Sequence, residues 1–241
     1  MLTPRERLIF ALDVADKATA LSRVHELRDQ VGLFKVGLEL FLAEGLSLLE
    51  DLANILGPQR IFLDLKLYDI PATVLGAMHA MVHGLALFTI PGDLGPTGLK
   101  KIVESSGRSF KILAVTVLTS ITADDLSALG YDSRYAQDPT ALVLRKAKMA
   151  QEAGCHGVVC SGQEVKAVKE QCGENFLAVC PGIRPAWSVV PGDDQRRIVT
   201  PWEAIANGAD YIVVGRPIRQ AANPPAAARR VVEEIAAGLV V

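Results

Sequence analysis

The sequence has no long apolar run, and each hydrophobic stretch is too short to span a bilayer, so no membrane-crossing segment is expected. It also has no basic excess. Lys and Arg number 25 against 27 Asp and Glu, a net charge of −2, which argues against a nucleic-acid partner. A small anionic substrate stays open, because binding one needs only local cations and helix N-termini. Residues 1–10 mix Arg5, Glu6 and Arg7 with few apolar side chains and do not read as a secretion signal. No CxxC pair occurs among Cys155, Cys160, Cys172 and Cys180, and three of them sit in or beside apolar, strand-like runs. Reduced, buried thiols are expected, and with them a cytoplasmic location. His79 and His83 form an i, i+4 pair, but no HExxH pattern or third ligand accompanies them, so a helix surface is expected and not zinc. The Gly-rich dinucleotide fingerprint is missing after the first strand, where Asp13-Val14-Ala15-Asp16 stands. With no low-complexity linker, residues 1–241 read as one domain.

What the chain does have is a repeating unit of apolar run and helical stretch. Eight such runs begin near residues 8, 33, 60, 85, 111, 157, 176 and 211, with helix-like segments between them. Asp16 offers an N-cap to the first helix, Gly57-Pro58 ends the second, and Pro71 opens the third. A polar region, residues 122–138, separates the fifth run from its helix. Eight alternations in a chain of 241 residues predict a single-domain α/β protein, a (β/α)8 TIM barrel, over the doubly wound open sheet that shares the alternation.

In a barrel the C-terminal strand ends converge on one mouth, and charges gather there. Asp13 ends the first strand and Lys35 lies in the second. The third, read as residues 60–66, runs into Asp64-Leu65-Lys66-Leu67-Tyr68-Asp69-Ile70-Pro71-Ala72-Thr73. If it continues through Lys66, the strand period turns Asp64 and Lys66 the same way. Lys35, Asp64, Lys66 and Asp69 then supply two cations and two anions able to alternate in space, each opposite neighbour favouring the charged form. A buried ion-pair network that merely supports the barrel is the plainer reading. A second cluster follows the seventh and eighth strands, where barrels often seat a phosphate: Arg184, Gln195, and the pair Gly215 and Arg216. Gly215 permits close backbone approach, and Arg216 offers a forked pair to phosphate oxygens. The intervening segment, with Trp187, reads either as a cover for a ligand or as an ordinary surface loop. The residues thus point to a phosphate-bearing substrate and to proton or carbanion chemistry by lysine and aspartate.

Over nearly its whole length the chain resembles the orotidine 5'-phosphate decarboxylase family. The resemblance rests on Ala11-Leu12-Asp13, Phe34-Lys35-Val36-Gly37, the ten-residue stretch from Asp64 to Thr73, Val117-Leu118-Thr119-Ser120, Pro181-Gly182-Ile183-Arg184, Gly192-Asp193-Asp194-Gln195-Arg196-Arg197 and Val213-Val214-Gly215-Arg216. It implies decarboxylation of orotidine 5'-phosphate to uridine 5'-phosphate, without metal or organic cofactor. Lys66 would protonate C6 of the pyrimidine, Asp64 would lie beside the departing carboxylate, and Lys35 would link the ribose to Asp64. Asp13 would hold ribose hydroxyls, and Thr119 or Ser120 would contact the pyrimidine. Arg184, Gln195, Gly215 and Arg216 would hold the phosphate or close over it. Asp69 and Thr73 would reach into the partner's site of a homodimer. The chain departs from the family after the fourth strand, where Thr89-Ile90-Pro91-Gly92-Asp93-Leu94-Gly95 replaces a His-Ala-x-Gly-Gly-like turn, which bears on local packing and the dimer edge. Cys180 also replaces a small polar residue, and the loop from Arg184 to Gln195 is slightly long. The rivals are a magnesium-dependent phosphosugar lyase or aldolase on the same barrel, and a silent barrel that binds nucleotides or a partner protein.

Overall fold

The computed structural model describes residues 2–107, 110–188 and 197–240. Eight parallel strands close into a barrel in sequence order, each hydrogen-bonded to the next and the eighth to the first. In chain order the elements are β1 (Leu8–Ala11), α1 (Lys17–Leu27), β2 (Leu33–Gly37), α2 (Leu38–Leu56, broken at Gly45), β3 (Ile61–Asp64), α3 (Pro71–His79), β4 (Leu87–Pro91) and α4 (Gly95–Ser105). There follow β5 (Lys111–Val115), α5 (Ala123–Ala128), α6 (Ser133–Gln137), α7 (Pro139–Glu152), β6 (Gly157–Val159), α8 (Val165–Cys172), β7 (Leu177–Cys180), α9 (Pro201–Ala206), β8 (Tyr211–Val214), α10 (Arg216–Arg219) and α11 (Pro224–Gly238). None of the helices among the described residues is long and apolar enough to cross a membrane.

The strand period sorts each strand between two cores. Ile9, Leu33, Phe62, Leu87, Leu113, Val179, Tyr211 and Val213 fill the barrel interior. Their sequence neighbours, among them Leu8, Phe10, Phe34, Val36, Ile61, Leu63, Phe88 and Ile112, pack under the helices. Side chains two apart share a face, so Lys35 lies on the inward face with Leu33, and Asp64 with Phe62. Parallel register then aligns the strand ends, with Ala11 opposite Lys35 and Gly37 opposite Asp64.

Several expected boundaries move. β3 stops at Asp64, so Lys66 lies beyond it and its side chain is not aligned with Asp64 by strand pleat. Lys66 instead adopts φ +51°, the only left-handed backbone at a non-glycine residue among those described. β5 likewise stops at Val115, leaving residues 116–118 as rim. α3 ends at His79 because the chain turns through Ala80 to Gly84, so His83 sits in that turn and the expected helical histidine pair does not form. The polar region 122–138 folds into α5 and α6, started by a Thr122–Asp125 capping box and by Asp132. The four cysteines are free and buried, as expected, and burial pushes the Cys155 thiol up to about 12.

Candidate active site

Four alternating charges form a continuous chain at the C-terminal mouth. Lys35 Nζ donates to Asp13 Oδ1 at 3.0 Å and stands 3.8 Å from Asp64 Oδ2; Lys66 Nζ donates to Asp64 Oδ1 at 2.8 Å. The order is therefore Asp13, Lys35, Asp64, Lys66. Asp13 occupies the place expected for Asp69, whose carboxylate is exposed, accepts from Ile70 N at 2.6 Å and makes no ion pair among the described residues. Asp69 is displaced because β3 has already ended and the chain is turning outward into α3. The Lys35 and Asp64 side chains are only 12% and 13% exposed, whereas Lys66 is 32% exposed, so the ammonium at the end of the chain is the one a ligand reaches.

Thr89, fully buried on β4, holds the turn beyond Asp64. Its hydroxyl donates to Asp64 Oδ1 at 2.9 Å and accepts the Lys66 backbone N–H at 3.1 Å, fixing carboxylate and lysine main chain together. Left-handed backbone at a side-chain-bearing residue costs about 1–2 kcal/mol and persists where surroundings over-determine it, as they do here. Sequence inspection assigned Thr89 no role; the signal was its place two residues after Leu87 on an inward face.

Burial raises the Asp64 carboxyl, but the Lys66 and Lys35 ammonium groups, with hydrogen bonds from Lys66 and Thr89, more than offset it, so its net shift is below the ordinary carboxylate value. The associated stability is present above the unfolded carboxylate value and is lost as pH falls through the lower folded value. Removing Lys66 takes away the largest of these opposing attractions, so Asp64 in a Lys66→Ala chain is expected to titrate at higher pH than in the parent. Carbon-detected NMR of the Asp64 carboxyl checks this, and an unmoved titration would contradict the pairing.

The second cluster is only partly brought together. Gly215 approaches the charge chain closely: a Cβ there would stand 3.3 Å from Ala11 Cβ and 3.5 Å from Asp13 Oδ2, which is why glycine fits. Arg216 follows directly and opens α10. Arg184 lies just after β7; its backbone N–H donates to Val199 O at 2.9 Å and its Nη1 to Ile183 O at 2.9 Å. Gln195 falls outside the described residues. Thr119 is buried and Ser120 exposed, both just past the β5 rim, while Thr73 is exposed on α3. Trp187 packs against α11, its Nε1 donating to Glu234 at 2.7 Å with Arg230 stacked 4.4 Å from the ring centroid. A cavity of 490 Å³ opens beside Lys66, lined also by Tyr68, Asp93, Val117, Leu118 and Tyr131.

The atypical segment after β4 has its own buried partner. β4 ends in Pro91, a single 3₁₀ turn runs from Gly92 to Leu94, and Asp93 pairs with Lys146 of α7 at 2.8 Å and accepts from Tyr131 Oη at 2.9 Å. Lys146 also donates to Thr116 O at 3.0 Å, so this side of the mouth is braced by an ion pair that sequence inspection did not find. Burial and the neighbouring Asp93 push the Tyr131 phenol up to about 12. Among the described residues no group of three or more His, Cys, Asp or Glu is placed to hold a metal ion.

Closed barrel, alternating charges at the strand ends and arginines beyond β7 and β8 define a (β/α)8-barrel protein with an accessible lysine at its charged mouth. The chain belongs to the orotidine 5'-phosphate decarboxylase / HUMPS family, whose pattern it matches over residues 6–231. It is 46% identical over 233 residues to the orotidine 5'-phosphate decarboxylase of Desulfosudis oleivorans, covering 96% of this chain and 94% of that one. It is likewise 46% identical over 239 residues to that of Anaeromyxobacter sp., covering 99% and 100%. A crystal structure of orotidine 5'-phosphate decarboxylase from Lactobacillus acidophilus superposes with a TM-score of 0.77 at 36% identity, covering 95% of this chain and 98% of the other.

Proposed function

We propose that this chain decarboxylates orotidine 5'-phosphate to uridine 5'-phosphate, using its own side chains and no metal or organic cofactor. The carrying observation is the ion-pair chain that ends on an accessible Lys66 ammonium beside a buried Asp64. When the C6–carboxylate bond breaks, carbon dioxide leaves and its bonding electron pair stays on C6. The ring offers no position to delocalise that pair, so a fixed ammonium next to the carbon is the stabiliser this site has. Lys66 then gives C6 a proton and is reprotonated from solvent.

In this reading Asp64 lies beside the departing carboxylate and Lys35 connects it to the ribose, whose hydroxyls Asp13 holds. Thr119 or Ser120 meets the pyrimidine. Arg184, Gln195, Gly215 and Arg216 take the phosphate, and contacts made there lower the barrier at the ring when they tighten in the transition state. The homodimer belongs to the same reading, with Asp69 and Thr73 entering the partner's site. Tyr68 and Ile70, which flank Asp69, are 69% and 67% exposed, so the stretch that carries Asp69 is open to a second copy. Buried, unpaired cysteines support a cytoplasmic location.

The direct test is to incubate the purified protein with orotidine 5'-phosphate after exhaustive chelation and to follow the loss of the substrate's ultraviolet band. Turnover is expected to survive chelation. No loss of the band at any metal content would end the reading, and turnover that depends on added magnesium would favour the metal-dependent lyase.

A further inference from the structure

Beyond the charge chain, one buried ion pair touches three edges of the mouth. Glu164, 3% exposed at the foot of α8, accepts the Ser161 backbone N–H at 2.7 Å through Oε2 and pairs through Oε1 with Arg197. Arg197 comes from the return leg of the β7–α9 connection. That leg is anchored by a β-bridge between Ile183 and Val199, and Ser161 Oγ donates to Arg197 O at 3.3 Å. The other guanidinium nitrogen, Nη2, crosses to the rim beyond β5 and donates to Val117 O at 2.9 Å and Leu118 O at 3.0 Å. A side chain from after β7 thus fixes the two carbonyls immediately before Thr119 and Ser120. The fork geometry sets the contact: a planar guanidinium offers one nitrogen to the carboxylate and the next to both carbonyls in a fixed relation, whereas an ammonium is a single point charge on a flexible stem.

We propose that Arg197 and Glu164 are a positioning pair for base recognition: they set the peptide that presents Thr119 and Ser120, and tie that orientation to the leg that pairs with the phosphate candidate Arg184 through Val199. The inference rests on the functional reading above. Neither residue touches substrate. Glu164 has the role of holding the fork: burial pushes its carboxyl up and the Arg197 charge opposes this, so without Arg197 the carboxylate is left buried with no cation. The pair therefore acts on the affinity for the pyrimidine more than on the affinity for the phosphate.

Binding of uridine 5'-phosphate and of ribose 5-phosphate separates the two ends of the ligand. In Arg197→Lys, uridine 5'-phosphate is expected to bind about tenfold more weakly, in line with the loss of charge-assisted hydrogen bonds, while ribose 5-phosphate binds within about twofold of the parent. Glu164→Gln, which keeps the shape and one of the two acceptor oxygens, is expected to shift the same ratio in the same direction by a smaller factor. Equal weakening of both ligands, or no change in either with a folded protein, overturns the proposal, because a merely structural pair would lower the melting temperature without separating base from phosphate. Failure of both variants to fold also overturns it, by making the pair a support of the barrel alone. A parent chain that neither binds uridine 5'-phosphate nor consumes orotidine 5'-phosphate removes the functional reading itself, and this inference with it. A parent that does both, with an unchanged ratio in the variants, removes the inference only.

Discussion

Replacing Lys66 by alanine is expected to abolish decarboxylation, by at least about 10⁴-fold in kcat, while binding of uridine 5'-phosphate stays measurable. The size follows from two roles lost at once, a fixed positive charge beside C6 and the proton that C6 receives. Binding is expected to survive because the contacts proposed for phosphate and ribose lie on other strands, from Asp13 and Lys35 to Gly215 and Arg216. The fold also tolerates the change: Lys66 is beyond the end of β3, outside the apolar layers, and its left-handed backbone is held by Thr89 through the main-chain N–H, which alanine retains. Single-turnover assay together with a binding isotherm checks this, and near-normal turnover in the variant would sink the mechanism.

The second large effect concerns Asp69. Asp69→Ala is expected to be nearly inactive alone, although Asp69 makes no ion pair among the described residues of its own chain. Mixing Lys66→Ala with Asp69→Ala subunits is expected to restore activity to roughly a quarter of the parent. Random assortment in a two-fold dimer makes half the dimers mixed, and each mixed dimer has one site with both groups and one with neither. No recovery in a preparation proven to contain mixed dimers would place Asp69 outside the partner's site.

Much of the fold was legible because each of its causes is local. Alternation of apolar runs with helical stretches, N-caps such as Asp16, and stops such as Gly57-Pro58 depend on neighbours in sequence, and the closed barrel followed from counting them. The site was legible to the extent that strand ends define a mouth: Lys35 and Asp64 stand on inward faces two residues after Leu33 and Phe62.

What the sequence by itself determined is the eightfold repeat, the residue types at the mouth and the family they belong to. Tertiary structure decided which charges meet. Asp13, and not Asp69, completes the ion-pair chain, because β1 and β2 are neighbours in the barrel while the segment after β3 turns outward. It also supplied Thr89, the Asp93–Lys146 brace and the Glu164–Arg197 fork, each joining residues at least 23 positions apart. Such pairings depend on how strands and connections stack in space, and strand period and helix caps carry no information about side chains brought together from different βα units.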